Sequence, residues 1–253
     1  MDIDRYKKQI LVKEFSKNGQ DILLQTHVVI IGAGGIGSNS SVILTRMGVG
    51  QIELIDDDVV DVTNLHRTSI FNENDVGKPK SKTLEKKLGK INSDIRIVGY
   101  KKKVTRKNIE KIIRNADIVL DGTDNMQTRF LINDACIKNN IPWVYAGVRE
   151  TIGMTMGIIP NKTPCLRCIS NIIPSRSDPH GVAVLGNLPI VTASIQSIEA
   201  IKILLGKQPH GLIIYDLWRQ HFEQIDLKKK PYCICCSRKK FEFLQRNPGD
   251  SSK

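Results

Sequence analysis

Residues 27–37, HVVIIGAGGIG, decide how this chain folds. Residues 28–31 are an unbroken apolar run, the pattern of a strand buried on both faces of a parallel sheet. Gly32, Gly34 and Gly37 then fit G-x-G-x-x-G, and SNSSVILTRM after them reads as a helix opened by small residues. Glycine lets the backbone turn tightly and approach a phosphate, while the helix N-terminus offers unpaired N–H groups and a positive dipole end. A second apolar run, residues 51–55, ends in Asp56, where such folds set an acid on a ribose hydroxyl. The glycine motif alone is a weak signal and is also found in plain structural turns. In a strand–loop–helix–strand–acid context it points to nucleotide binding.

Downstream, residues 57–82 (DDVVDVTNLHRTSIFNENDVGKPKSK) are too long and polar for a simple crossover, so function is expected there. Pro79 suits the first turn of a lysine-rich helix running to about residue 91. Strand and helix patterns then alternate through RIVGY, RKNIEKIIRNA, DIVLDG, MQTRFLINDACIKNN, PWVYAG and MTMGIIP. This predicts a doubly wound, Rossmann-like α/β fold with a mostly parallel sheet. Ligands of such sheets sit at the carboxyl ends of the strands, which would bring the glycine loop, Asp56 and Asp124 to one edge. Upstream, DRYKKQI and SKNGQDILLQ read as two short helices.

The pattern breaks at Pro164-Cys165-Leu166-Arg167-Cys168 and resumes with a helix from about residue 190 to 206. GLIIYDLW and HFEQIDL predict a late antiparallel strand pair. The chain thus reads as one domain over residues 1–240. It comprises a helical opening (1–26), a nucleotide-binding core (27–160) and a late segment of cysteine knuckles, crossover loop and strands (161–240). Residues 241–253 read as a flexible tail.

Hydrophobic residues at 40% and charged ones at 25% are ordinary for a globular protein among 253 residues. No apolar run nears the roughly 20 residues of a membrane span, and MDIDRYKKQI is too polar for a leader, so a cytoplasmic protein is expected. The net charge of +12 fits either a polyanionic partner such as tRNA or lysines decorating solvated faces. Without aromatic residues interleaved, the second reading is preferred. Six cysteines in such a chain argue for metal or chemistry.

Cys165, Cys168, Cys233 and Cys236 form two C-x-x-C pairs, the spacing that lets both sulfurs of a pair face one tetrahedral zinc ion. A redox C-x-x-C is the rival, weakened by the presence of two pairs. Cys235 is an alternative ligand, and Cys136, in a helical pattern, reads as core. The five histidines show no metal-ligand spacing. Arg67, Lys80 and Asp124 are the candidates for chemistry, since attack on an α-phosphate needs cations on the phosphates and a carboxylate for Mg²⁺. Asp57 and Asp58 read as loop solvation.

With these residues in view, the chain resembles the E1-like activating enzymes of the ThiF, MoeB and HesA family. The likeness runs from Asp4 to Cys236 through RYKKQI, GAGGIGS, IDDDVVDVTNLHR, DVGKPK, DGTDN, PCLRC, VLGNLP with IVTASIQSIEAIKILLG, and the last cysteine pair. The resemblance implies ATP-dependent adenylation of a carboxylate, typically the C-terminal glycine of a ThiS- or MoaD-type ubiquitin-like sulfur carrier. It implies that Gly35 and its loop meet the nucleotide, Asp56 holds the ribose, and Asn64 and Arg67 contact the phosphates. Lys80 would stabilise the transferring phosphoryl group, Asp124 would hold Mg²⁺, and Asn125 would lie near the nucleotide. Zinc would be structural. Family members are usually homodimers in which an N-terminal basic residue reaches the neighbour's site.

Two departures stand out. The reaching residue is Arg in the family and Lys8 here, which keeps the charge but loses the planar fork. Many relatives also carry a crossover-loop cysteine, where this chain has Pro179 and no cysteine lies between Cys168 and Cys233. A thioester at that place is therefore not expected, and adenylation alone remains. Peptide, tRNA-base and small-molecule carboxylates stand as alternative substrates. Reduction of a bound NAD and a non-catalytic scaffold stand as alternative classes.

Overall fold

A computed structural model, which describes residues 3–173 and 183–245, folds around one eight-stranded sheet. The strands are β1 (His27–Ile31), β2 (Gln51–Asp56), β3 (Arg96–Lys101), β4 (Ile118–Asp121), β5 (Trp143–Arg149), β6 (Ile152–Ile158), β7 (Leu212–Asp216) and β8 (His221–Ile225). Their order is β3-β2-β1-β4-β5-β6-β7-β8. The first five are parallel, and order reverses between β1 and β4, so the crevice beyond their carboxyl ends is a ligand position. From β5 onward every pairing is antiparallel. The antiparallel part is therefore wider than the late strand pair read from the sequence.

The helices are α1 (Lys7–Ile10), α2 (Ser16–Gln25), α3 (Gly35–Met47), α4 (Lys80–Ile91), α5 (Ile109–Ile113), α6 (Met126–Lys138), α7 (Leu188–Leu204) and α8 (Glu242–Gln245). Alternate residues of each continuous apolar run point to opposite faces. Val28, Ile30, Ile52, Leu54, Ile118 and Leu120 pack beneath α2, α3, α4 and α7. Val29, Ile31, Ile55, Val119, Trp143 and Tyr145 pack on the other face against α5 and α6. The crossovers α3 and α4 return the chain to parallel neighbours, as the alternating pattern predicts. No helix among the described residues is long and apolar enough to cross a membrane.

The start of the stretch read as a flexible tail is packed. Residues 242–245 form α8, the Phe243 ring lies 5.0 Å from that of Phe130, and the Phe243 N–H donates to Asp134 Oδ2 at 2.9 Å. An aromatic pair and a buried acceptor on α6 hold this turn down, and no periodicity in so short a stretch announces that. Residues 246–253 lie outside the described part, as does Pro179.

Candidate nucleotide site and cysteine centre

The glycine loop is shaped by close backbone contacts. Gly32 takes φ +93°, and a Cβ there would sit 2.5 Å from the carbonyl of Gly122 after β4. A Cβ on Gly37 would lie 1.8 Å from the Gly32 carbonyl oxygen, so α3 packs directly on its own entry loop. Gly34, the N-cap of α3, faces open space. The N-terminus of α3 is thereby exposed at the strand-order reversal, where an anion is stabilised by free N–H groups.

Asp56 closes one side of this loop. Its carboxylate accepts from the Ala33 N–H at 2.6 Å and from the Asp58 N–H at 2.8 Å. Burial raises its pKa, opposed by the Ala33 hydrogen bond and the nearby Lys80 charge. Lys80, the first residue of α4, is buried, and its ammonium sits 2.9 Å from Asp58 Oδ2. Asp58 is thus the partner of the candidate catalytic lysine rather than a solvating loop residue. The signal was its place in the acidic run, but the partner lies 22 residues on.

Residues 57–79 are ordered by local capping. Asp61 and Asn64 cap a 3-10 turn (Val62–Arg67) reciprocally, and Asn72 and Asp75 cap a second (Glu73–Asp75). Asn64 is buried with its Oδ1 accepting from the Asp61 N–H, which leaves Nδ2 without a protein partner among the described residues. Arg67 donates to the Thr63 carbonyl, and its Cδ lies 3.3 Å from where a Gly35 Cβ would be. Asn39 on α3 joins loop to helix: its Nδ2 donates to the carbonyls of Gly35 and Arg67, and its Oδ1 accepts from Ser69. Sequence reading missed Asn39, whose position inside a small-residue helix carries no signal of its partners.

Asp124 and Asn125 are exposed on the turn after β4. Asn125 is the N-cap of α6, its Oδ1 accepting from the Thr128 N–H at 2.9 Å, and its Nδ2 faces Asp124 Oδ1 at 3.3 Å. Beneath the turn lies a buried pair that sequence reading also missed. Arg129 Nε is 3.1 Å from Asp121 Oδ2, its Nη2 donates to the Thr123 carbonyl at 2.6 Å, and its guanidinium lies 5.4 Å from the Tyr145 ring centre. Burial disfavours both charges. It raises the pKa of Asp121, while for Arg129 the Asp121 charge prevails and holds the pKa above its ordinary value. Gln196 of α7 braces the same strand by donating to the Asp121 carbonyl at 2.7 Å.

Gly32, Gly34, Gly35, Gly37, Asp56, Asn64, Arg67, Lys80, Asp124 and Asn125 therefore all belong to the strand-end edge. Lys8 does not. It sits on α1, whose Gln9 donates to the Met47 carbonyl at the far end of α3. With about 1.5 Å of rise per residue over α3, that is roughly 20 Å from the glycine loop and beyond a lysine's reach within one chain.

The cysteine centre lies on the α6 face of the sheet. Cys165, Cys168, Cys233 and Cys236 are all buried, with their sulfurs within 4.8 Å of one another. Cys165 and Cys233 approach to 3.6 Å, and Cys168 and Cys236 to 3.5 Å. Sulfurs at Zn–S distances of about 2.3 Å on a tetrahedron are about 3.8 Å apart, so the four thiols fit a zinc ion. Cys235 lies outside this set, 3.2 Å from Asn133 Nδ2. Asn133 also accepts from the Leu166 N–H, and Arg167 spans the Phe130 and Phe243 rings to reach Glu242 at 2.8 Å. Cys136 is a core residue, its thiol pKa pushed up by burial.

A doubly wound sheet with a glycine loop at the order reversal, an acid at the end of β2 and cations around it defines a Rossmann-like nucleotide-binding protein. The ThiF family profile matches residues 6–235, and the chain belongs to that family of E1-like activating enzymes. It is 35% identical over 248 residues to the sulfur carrier protein ThiS adenylyltransferase of Bacillus subtilis, covering 95% of this chain and 73% of the relative. It is 34% identical over 243 residues to the SAMP-activating enzyme E1 of Haloferax volcanii, covering 92% and 88%. Among solved structures, Escherichia coli MccB with AMPCPP and MccA superposes with a TM-score of 0.83 at 26% identity, covering 94% of this chain and 75% of that one. MccB with ATP gives 0.80 at 28%, covering 92% and 74%.

Proposed function

We propose that this chain is an ATP-dependent adenylyltransferase that activates the C-terminal carboxylate of a ubiquitin-like sulfur-carrier protein. The observation that carries this reading is the meeting of the glycine loop, Asp56, Arg67, Lys80 and Asp124 at one strand-end edge. The relatives named for carrier adenylation, matching 92–95% of this chain, support the substrate class. In the reaction a carboxylate oxygen attacks the α-phosphorus, a new C–O–P linkage forms, and the bond to the bridging oxygen breaks to release pyrophosphate. Asp56 would hold the ribose. The α3 N–H groups, Arg67 and the Asn64 amide would bind phosphate oxygens, with Asn125 near the nucleotide. Lys80, anchored by Asp58, would neutralise charge on the transferring phosphoryl group. Asp124, carboxylate exposed toward the cleft edge, would hold Mg²⁺, which supplies charge neutralisation on the leaving phosphates. Zinc would be structural, fixing the late segment.

No cysteine occurs between Cys168 and Cys233. The product would therefore leave as the acyl-adenylate for a separate sulfur donor. ATP–pyrophosphate exchange tests the reading. Exchange that depends on a carrier ending in diglycine is expected; tight ATP binding with no exchange for any carrier would overturn it in favour of a peptide, tRNA or small-molecule carboxylate.

Lys8, out of reach of its own cleft, fits a homodimer in which it enters the neighbour's site. Mixing inactive Lys8→Ala with inactive Asp124→Ala should then restore about a quarter of wild-type activity, since half the dimers are mixed and each has one complete site. Mixed samples that stay dead would sink the crossing.

A further inference from the structure

Helix α4 carries a feature that the proposed adenylation leaves unused. Ser81, Leu84 and Leu88 turn into the core. Lys78, just ahead of the helix, and Lys82, Lys86 and Lys90 recur every four residues and are all exposed, so they share one outer stripe. With Lys87, Asp75, Pro79 and Thr83 they line a groove of about 440 Å³. Lys82 pairs with Glu85 at 2.9 Å and Lys87 pairs with Asp75. Lys86 and Lys90 form no ion pair among the described residues, and Lys78 only shares the field of Asp75, which already pairs with Lys87.

The stripe continues toward the cleft. Lys101, Lys102 and Lys103 are exposed at the end of β3. The Lys102 N–H donates to the Asp56 carbonyl at 3.1 Å, and the Ser81 hydroxyl donates to the same oxygen at 3.3 Å. The lysine run therefore abuts the first turn of α4, and the basic face extends along this flank of the molecule.

We propose that this flank binds RNA through its phosphate backbone. Lysines one helical turn apart lie about 6 Å apart along the axis and can meet successive phosphates of one strand. An acidic protein partner is the lesser fit. Protein interfaces are depleted in lysine and centred on aromatic or apolar anchors, and this groove has none. The structure also changes the weight of the +12 charge. Lysines that read in the sequence as decorating solvated faces line one face here, and of those on the helix stripe only Lys82 has an ion-paired carboxylate.

The test is fluorescence anisotropy with a labelled transfer RNA over a range of salt, on the wild type and on a Lys78→Glu/Lys86→Glu/Lys90→Glu variant. None of the three side chains belongs to the nucleotide site, so the variant should keep wild-type ATP affinity and melting temperature. The wild type should bind with a log–log salt slope of about −3 to −5, unaffected by saturating ATP. The variant should lose roughly tenfold or more in affinity, and its slope should shrink by about 2 to 3. Absence of RNA binding at low salt, or equal affinity and slope in the variant, overturns the proposal. So does binding of poly-glutamate in preference to RNA, which would assign the flank to an acidic protein.

Discussion

Asp124→Ala is expected to lose ATP–pyrophosphate exchange by roughly 10³-fold, the scale of removing one preorganised charged contact from a transition state. It should melt within about 2 °C of the wild type, because an exposed surface substitution moves stability by about 0.5 kcal/mol or less. The separation of the two effects follows from the structure. The Asp124 carboxylate makes one long hydrogen bond, to Asn125 Nδ2 at 3.3 Å, and its charge is the smallest of the contributions that hold Arg129 charged beneath the turn. Its neighbour three residues earlier is the opposite case. Asp121 is completely buried, pairs with Arg129 and accepts from both the backbone and hydroxyl of Thr123. Its removal would strand a buried guanidinium. Nucleotide binding to Asp124→Ala, measured without metal by calorimetry, should match the wild type. Normal turnover in this variant would remove Asp124 from the metal role.

The second large effect is on stability. Cys168→Ser should release zinc, from one ion per chain to none by elemental analysis, and lower the melting temperature by about 10 °C or more. The four sulfurs join residues 165–168 to residues 233–236 inside the hydrophobic cluster on the α6 face, with Leu166 and Ile169 packed around them. Without the ion, three thiols and a serine hydroxyl remain buried with only one another and a few backbone groups for company. Cys235→Ser, whose side chain faces Asn133, should keep its zinc. A Cys168→Ser protein with full metal content and an unchanged melting temperature would refute the four-cysteine centre.

The parallel half of the fold is legible in the sequence because its signals are local. An apolar run, three glycines and a terminal acid fall within one strand–helix–strand unit, and the β1, α3 and β2 they predict are those found. Pro79 likewise announces α4, where it is the N-cap. The cysteine set is legible for a different reason, since two C-x-x-C pairs need no knowledge of the path between them. What escapes is whatever depends on a distant or unremarkable partner. Asp58 gains its meaning from Lys80, Asn39 from the carbonyl of Arg67, and Gln196 from Asp121, 75 residues away. Arg129 sits only eight residues from Asp121, but nothing in the sequence of this helix distinguishes an arginine that turns inward beneath the turn after β4 from one that turns to water. The wider antiparallel region escapes because β6 alternates no differently from a parallel strand.

The separation of the two cysteine pairs along the chain sets a schedule for biosynthesis. Cys165 and Cys233 are 68 residues apart, and the second pair lies close to the end of the described chain. At about 5–20 residues per second, a ribosome delivers the glycine loop roughly 10–40 s before Cys236. Over the last 68 residues of that interval the nascent chain carries the glycine loop and two lone thiols with no partners to share a metal. Closure of the cysteine centre thus waits until Cys236 has been translated, long after the glycine loop.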